Sequence, residues 1–266
     1  KSSTTIAYVG KKISQFSEKD VSVVHQNLDD RELYRPGIRT LEWAYDFLIS
    51  KKYIEEKNSN KFDDYLLVDE ENSRMKVLLK GQQSDKIDLI MRTGEIIEQL
   101  KNEVETNKHD ITIIGGGGNK GIHQKLVQFI DSSVFVVKNY SVSKKYKILL
   151  PVNDSKGSDM AIETAINFAK SYKLNVEIVS VPEGKKSIEE VEKILKKTKE
   201  KFSKNRIKTT TKLIDGPTVN SIVNYAKDDS IVILGVSPKN PIMKYFFGSK
   251  PLSIAQKCNC PVLITK

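Results

Sequence analysis

An α/β fold made of two tandem copies of one strand–helix plan is predicted by three observations. A short β-branched run enters a glycine twice, as DITIIG at 110–115 and DSIVILG at 229–235. Each is followed by a loop, a helical stretch and a further β run, VFVVK at 134–138 and VLITK at 262–266. The upstream segments correspond too: IDLIMRTGEIIEQLKNEV (87–104) and TKLIDGPTVNSIVNYAK (211–227) both read as strand, glycine turn and helix.

The glycines Gly115 and Gly235 are 120 residues apart, whereas Val134 and Val262 are 128 apart. The first copy is therefore shorter by about two turns of loop and helix start. The polar stretch KNYSVSKKYK (138–147) reads as a linker. The expected domains are 1–140 and 141–266.

In the second copy, KILLPVND (147–154) opens as a buried strand, and Pro151 ends its ladder because it has no N–H to donate. Asp154 or Ser155 caps the next helix, whose apolar stripe is Met160, Ala161, Ala165, Phe168 and Ala169. NVEIVSV (175–181) is the second strand. A lysine-rich helix over 187–203 carries Ile188, Val191, Ile194 and Leu195 at helical spacing. KTTTKLI, the helix 218–227, IVILG, the helix LSIAQKC and the strand PVLITK complete the copy. This alternation predicts a mostly parallel five-stranded sheet with helices on both faces and right-handed crossovers.

The first copy is degenerate. RTLEWAYDFLI (39–49) reads as its first helix, with Trp43, Tyr45 and Phe47 in core and interface. The strand before it is TTIAYV (4–9) or VSVVHQN (21–27), and DYLLVDEEN holds another. Gly115 to Gly118 read as a strand-to-helix turn in preference to a phosphate loop, because the helix starts almost at once, near Ile122, and displaces the helix-start donors.

Composition narrows the class. With 38% hydrophobic and 29% charged residues the chain fits a globular protein, and no apolar run approaches the ~18 residues of a membrane span. Two cysteines, Cys258 and Cys260, one residue apart, fit a reducing cytosol, and no metal site is expected from them and the three histidines. The net charge is +10, and residues 185–212 hold 11 Lys/Arg against 4 Glu. Helical spacing of the apolar residues between these lysines points to a solvated amphipathic helix. Weak, salt-sensitive DNA binding is the most this charge predicts, with no specific nucleic-acid partner.

KILLPVNDSKGSDMAIETAINFA resembles the first strand and helix of universal stress proteins, and GVSPKNPIMKYFFGSKPLSIAQKCNCPVLI resembles the family's C-terminal signature. That signature is Gly, two residues, Gly, nine residues and Gly-Ser, then a helix and a Cys-Pro-Val strand. Gly235 matches its first glycine, Pro238 stands at its second, and Gly248-Ser249 follow in register. The resemblance implies two tandem domains of the Rossmann-like, adenine nucleotide alpha hydrolase-like fold, the second with a partial nucleotide motif. It implies ATP or AMP as ligand. Pro151, Val152, Asn153 and Val181 would line the adenine and ribose pocket, with Gly235, Gly248 and Ser249 at the phosphates. Lys244 and Lys250 could add positive charge.

The chemistry supports that assignment. A strand-end glycine admits close backbone approach, and a helix start attracts phosphate. The competing reading makes Gly235 a strand-exit turn and Gly248-Ser249 a helix cap. The family typically has Asp where Asn153 stands, and an amide donates as well as accepts. Pro238 removes one N–H donor.

No nucleophile, base or metal constellation appears, so a non-enzymatic cytoplasmic stress or regulatory protein is expected. The alternative is a cytosolic regulatory module of a cation-chloride cotransporter or amino-acid permease, which such paired domains resemble. A chain that opens on Lys1 fits a processed product or a piece of a longer protein. Finally, 134–138 and 262–266 are expected side by side and antiparallel in an intramolecular pseudo-dimer, with a homodimer as a further option.

Overall fold

A computed structural model describes residues 4–10, 30–54, 65–70, 74–79, 87–117, 120–182, 187–236 and 250–266. TTIAYV lies in β1 (Thr4–Gly10), and VSVVHQN falls outside the described residues. The chain divides into two compact units, Lys1–Asn102 and Glu103–Lys266.

The first unit contains β1, α1 (Asp30–Ser50), β2 (Tyr65–Glu70), β3 (Arg74–Leu79) and β4 (Ile87–Thr93). Its sheet runs β1-β4-β3-β2. β1 and β4 are parallel, while β3 is antiparallel to both its neighbours. α1 buries Ile38, Leu41 and Tyr45 against Val77, Leu89 and Met91. Gly37 lets this helix approach closely, since a Cβ there would lie 2.6 Å from Met91 Sδ and 2.7 Å from Tyr8 Cδ1. Of the three α1 aromatics expected in core and interface, only Tyr45 is core. Trp43 and Phe47, four residues apart, stack with centroids 5.9 Å apart on the opposite face, where Trp43 is 68% exposed.

The second unit begins inside α2 (Ile96–Asn107) and continues β5 (Ile111–Gly115), α3 (Lys120–Phe129), β6 (Ser133–Val137), β7 (Lys147–Pro151), α4 (Lys156–Tyr172), β8 (Val176–Ser180), α5 (Ile188–Lys204), β9 (Thr209–Leu213), α6 (Thr218–Tyr225), β10 (Ser230–Gly235), α7 (Lys250–Lys257) and β11 (Val262–Thr265). Its seven strands run β5-β6-β11-β10-β7-β8-β9. The five strands of the second copy are all parallel, as expected, and β7 is the central one. Side chains alternate across this sheet. Leu149, Val179, Val232 and Leu234 face α6 and α7, and Ile148, Leu150, Ile178 and Ile233 face α4 and α5.

The first copy departs from a five-stranded parallel sheet. Its early strands form the four-stranded mixed sheet, with the hairpin β2–β3 in place of a parallel crossover. β5 and β6 join the large sheet because β6 bonds antiparallel to β11, with Val136↔Val262, Phe135↔Leu263 and Val134↔Ile264. The compact division thus falls at 102/103 and not at the 140/141 junction of the repeat.

The strands that end the two copies therefore do lie side by side and antiparallel. The registers repeat: β5–β6 pairs Thr112↔Val134 and Gly115↔Val137, and β10–β11 pairs Val232↔Val262 and Gly235↔Thr265. These are the same pairs displaced by the 120- and 128-residue offsets of the sequence. Lysines exchange in the same way. Lys138 Nζ donates to the carbonyls of Ala255 (2.6 Å), Gln256 (3.1 Å) and Cys258 (3.2 Å), closing the end of α7. Lys266 Nζ donates to the Ile130 carbonyl just past α3. Cations suit helix C-termini, where carbonyls lack intrahelical partners.

The linker is an ordered turn. Tyr140 stacks on Tyr146 at 5.1 Å, and Ser141 N donates to Tyr146 Oη at 2.8 Å. The lysine-rich helix α5 is amphipathic as expected, burying Val191, Leu195, Thr198 and Phe202. Ile188, however, is exposed beside the capping box of Ser187 and Glu190.

At the opposite ends of the strands from Gly235, Tyr225 of α6 donates to Glu177, and Lys147 lies 2.9 Å from the same carboxylate. Burial and then the bond to Glu177 push the Tyr225 hydroxyl up to about 12. Burial acts to raise Glu177, but the Tyr225 hydroxyl and Lys147 outweigh it and hold the carboxyl low. A folded-state value above the unfolded ~10 means this contribution is complete below about pH 10 and is lost as pH rises through about 12. Denaturant unfolding at pH 9 and 12 should show the wild type losing about 1 kcal/mol more than Tyr225→Phe, after allowance for solvent screening. Equal losses would show that the bond to Glu177 adds no pH dependence.

Candidate functional site

The C-terminal ends of β7, β8 and β10 meet the first turn of α4 around a cleft of about 240 Å³. Such ends are where ligands sit in open α/β sheets. Five of the sequence-predicted residues, Pro151, Val152, Asn153, Val181 and Gly235, line it together. Gly248 and Ser249, with Pro238 and Lys244, lie outside the described residues. Lys250, at the start of α7, does line the cleft.

The walls are apolar, from Val152, Val179, Val181, Ile222, Leu234 and Ile254. They are buried in the β-rich core, so this half of the cleft is preformed. Polar groups converge beside it. Ser155 caps α4, accepting from Ser158 N at 3.2 Å. Between Asp154 and Ser155, the structure thus selects Ser155. Asn153 Oδ1 accepts from Ser155 Oγ at 2.6 Å and Ser158 Oγ at 2.8 Å, while Asn153 N donates to Ser158 Oγ at 2.9 Å. Ser180 Oγ donates to the Val152 carbonyl at 2.8 Å. Ser158, Ser180 and Thr218 were not singled out from the sequence. A serine three residues into a helix ordinarily reads as solvent-facing, and nothing local marks its contact with Asn153.

Gly235 also packs against α4. Its φ is not in the left-handed region, and a Cβ there would lie 1.6 Å from the Gly157 carbonyl oxygen and 2.3 Å from its carbon. The glycine is required by backbone-to-backbone contact between β10 and the first turn of α4. It brings the cap residues of α4 against the strand end and so shapes the cleft. Its first-copy counterpart Gly115 has nothing within 4 Å of such a Cβ. Gly116 instead meets β6: its N donates to Val137 O at 2.7 Å, and a Cβ would lie 2.1 Å from Lys138 Cγ. The described part of this first glycine run is thus a packed turn; Gly118 lies outside the described residues.

A parallel five-stranded sheet ordered β9-β8-β7-β10-β11, with a cleft over its central strand ends, defines a Rossmann-like domain. Residues 146–266 match the Universal stress protein family. A universal stress protein of Methanocaldococcus jannaschii is 28% identical over 138 residues, covering 45% of this chain and 81% of that protein. Among solved structures, a universal stress protein from Archaeoglobus fulgidus superposes with a TM-score of 0.61 at 14% identity, covering 99% of this chain and 86% of that one. A further one, described as a putative universal stress protein from Pseudomonas aeruginosa, gives 0.57 at 12% identity, covering 99% and 93%. At these identities the structures speak for the fold. Among the described residues no helix is long and apolar enough to cross a membrane.

Proposed function

We propose that the chain is a non-enzymatic regulatory protein of the universal-stress type whose second copy binds a purine nucleotide in the β7–β8–β10 cleft. AMP and ATP are the ligands its family resemblance implies. The observation that carries this reading is the convergence of Pro151, Val152, Asn153, Val181 and Gly235, distant in sequence, on one cleft with an apolar slot and polar rim. The slot suits a planar base and Lys250 an anionic group. The first copy, a degenerate domain of the same kind over 1–140, is proposed to serve as the partner of the second through β6 and β11, making an internal pseudo-dimer.

Calorimetry with AMP and ATP should give about one site per chain. Thr218→Trp, which fills the cleft from the start of α6, should abolish binding while thermal unfolding stays cooperative. A stoichiometry of two would place a site in the first copy as well. Binding unaffected by Thr218→Trp would move the ligand elsewhere.

A further inference from the structure

The hydrogen-bond pattern at Asn153 is more specific than the outline of the cleft. Each serine hydroxyl beside it already accepts a main-chain N–H, Ser158 Oγ from Asn153 N and Ser155 Oγ from Ser158 N. Each therefore has its proton to give, and Asn153 Oδ1 is the nearest acceptor of both, at 2.6 and 2.8 Å, against 3.4 Å from Ser155 Oγ to Ser158 Oγ. Turning the amide over would set its NH2 against two hydroxyls whose protons would then lose this acceptor. In the arrangement observed the oxygen lies on the protein side with both lone pairs used, and what Asn153 has left to offer the cleft is Nδ2 with its N–H donors. A carboxylate at the same place would offer an acceptor, so the amide reverses the polarity of this point.

We propose that Asn153 is a specificity-determining donor: it makes the cleft prefer a purine with a carbonyl at C6 over one with an amine there. This rests on the nucleotide reading above. The placement of the base follows from the lining. Lys250 is the charged residue among those described around the cleft, and it draws the anionic end of the ligand to α7. The uncharged ring is left to the apolar lining, which includes Val152, the neighbour of Asn153 in the chain. An exocyclic amine facing Nδ2 would set donor against donor and leave both unpaired. A carbonyl accepts the bond.

The test is calorimetry with IMP and AMP on the wild type and on Asn153→Asp. The wild type should bind IMP about tenfold more tightly than AMP, the usual cost of an unpaired polar group. Asn153→Asp should reverse the order, because its carboxylate accepts from the amine and repels the carbonyl. The wild-type ratio needs no variant, so a loss of stability on substitution would not spoil the test. Equal affinities, or a preference for AMP, in the wild type would put a ribose hydroxyl or another group at Asn153 and overturn the inference, leaving nucleotide binding intact. No binding of either nucleotide would overturn the nucleotide reading, and this one with it.

Discussion

Gly235→Ala should destabilise the protein by about 3 kcal/mol, the upper end of the usual range for overpacking, and should remove ligand binding. The added Cβ would meet the Gly157 carbonyl oxygen at 1.6 Å and its carbon at 2.3 Å. Both are backbone atoms of the first turn of α4, so no side-chain rotation relieves the clash. Either β10 bends or α4 backs away. α4 carries Ala161, Ala165 and Ala169 into the core, so its retreat would loosen the packing over Ile148 and Ile233. In a domain of this size the loss should appear as a fall in melting temperature of roughly 6–12 °C. The internal control is Gly115→Ala at the matching position of the first copy, where the new methyl meets nothing within 4 Å. That variant should stay within about 0.5 kcal/mol of wild type. Equal effects at the two glycines would contradict the role given to Gly235.

These two glycines also show what could be read from the chain and what could not. The repeat was legible because hydrophobic period and turn residues are local: DITIIG and DSIVILG announce the same strand exit. The strands and helices of the second copy followed for the same reason, down to Ser155 as one of two capping candidates. Why Gly235 must be glycine was not legible. The contact with Gly157 joins segments 78 residues apart, and a strand-end glycine looks alike whether it makes room for a ligand or for a helix. The same limit applies to Asn153. Its identity suggested altered recognition, but which of its atoms faces the cleft depends on Ser158, which the strand–helix pattern does not connect to it. In the first copy, the hairpin β2–β3 escaped because RMKVLL mixes charge and apolar residues without strict alternation, and its pairing to β4 is set by tertiary contact.

Removing residues 262–266 should have the largest effect of all, turning a cooperative fold into an aggregating chain. β11 stands between β6 and β10, paired antiparallel to one and parallel to the other. Its Val262, Leu263 and Ile264 are each 0% exposed. Burial of three such side chains is worth roughly 5–9 kcal/mol, comparable with the whole stability of a typical domain. The deletion would also strip the ladder partners from two apolar strands at once. The freed edges, VFVV of β6 and IVIL of β10, are uncharged, apolar and mostly β-branched, and such edges pair with other chains. Lys266 would be lost with its bond to the Ile130 carbonyl, opening the end of α3. A milder comparison is Lys138→Met, which keeps the strands and removes only the ammonium that closes α7. It should cost about 1.5–3 kcal/mol, the range for hydrogen bonds to a charged group, and leave the oligomeric state unchanged. Size-exclusion chromatography with light scattering, followed by denaturant unfolding, separates the two. If the deleted chain keeps the wild-type oligomeric state and unfolds in one transition of unchanged midpoint, then β11 does not join the two copies energetically, and the pairing of their terminal strands is incidental to the fold.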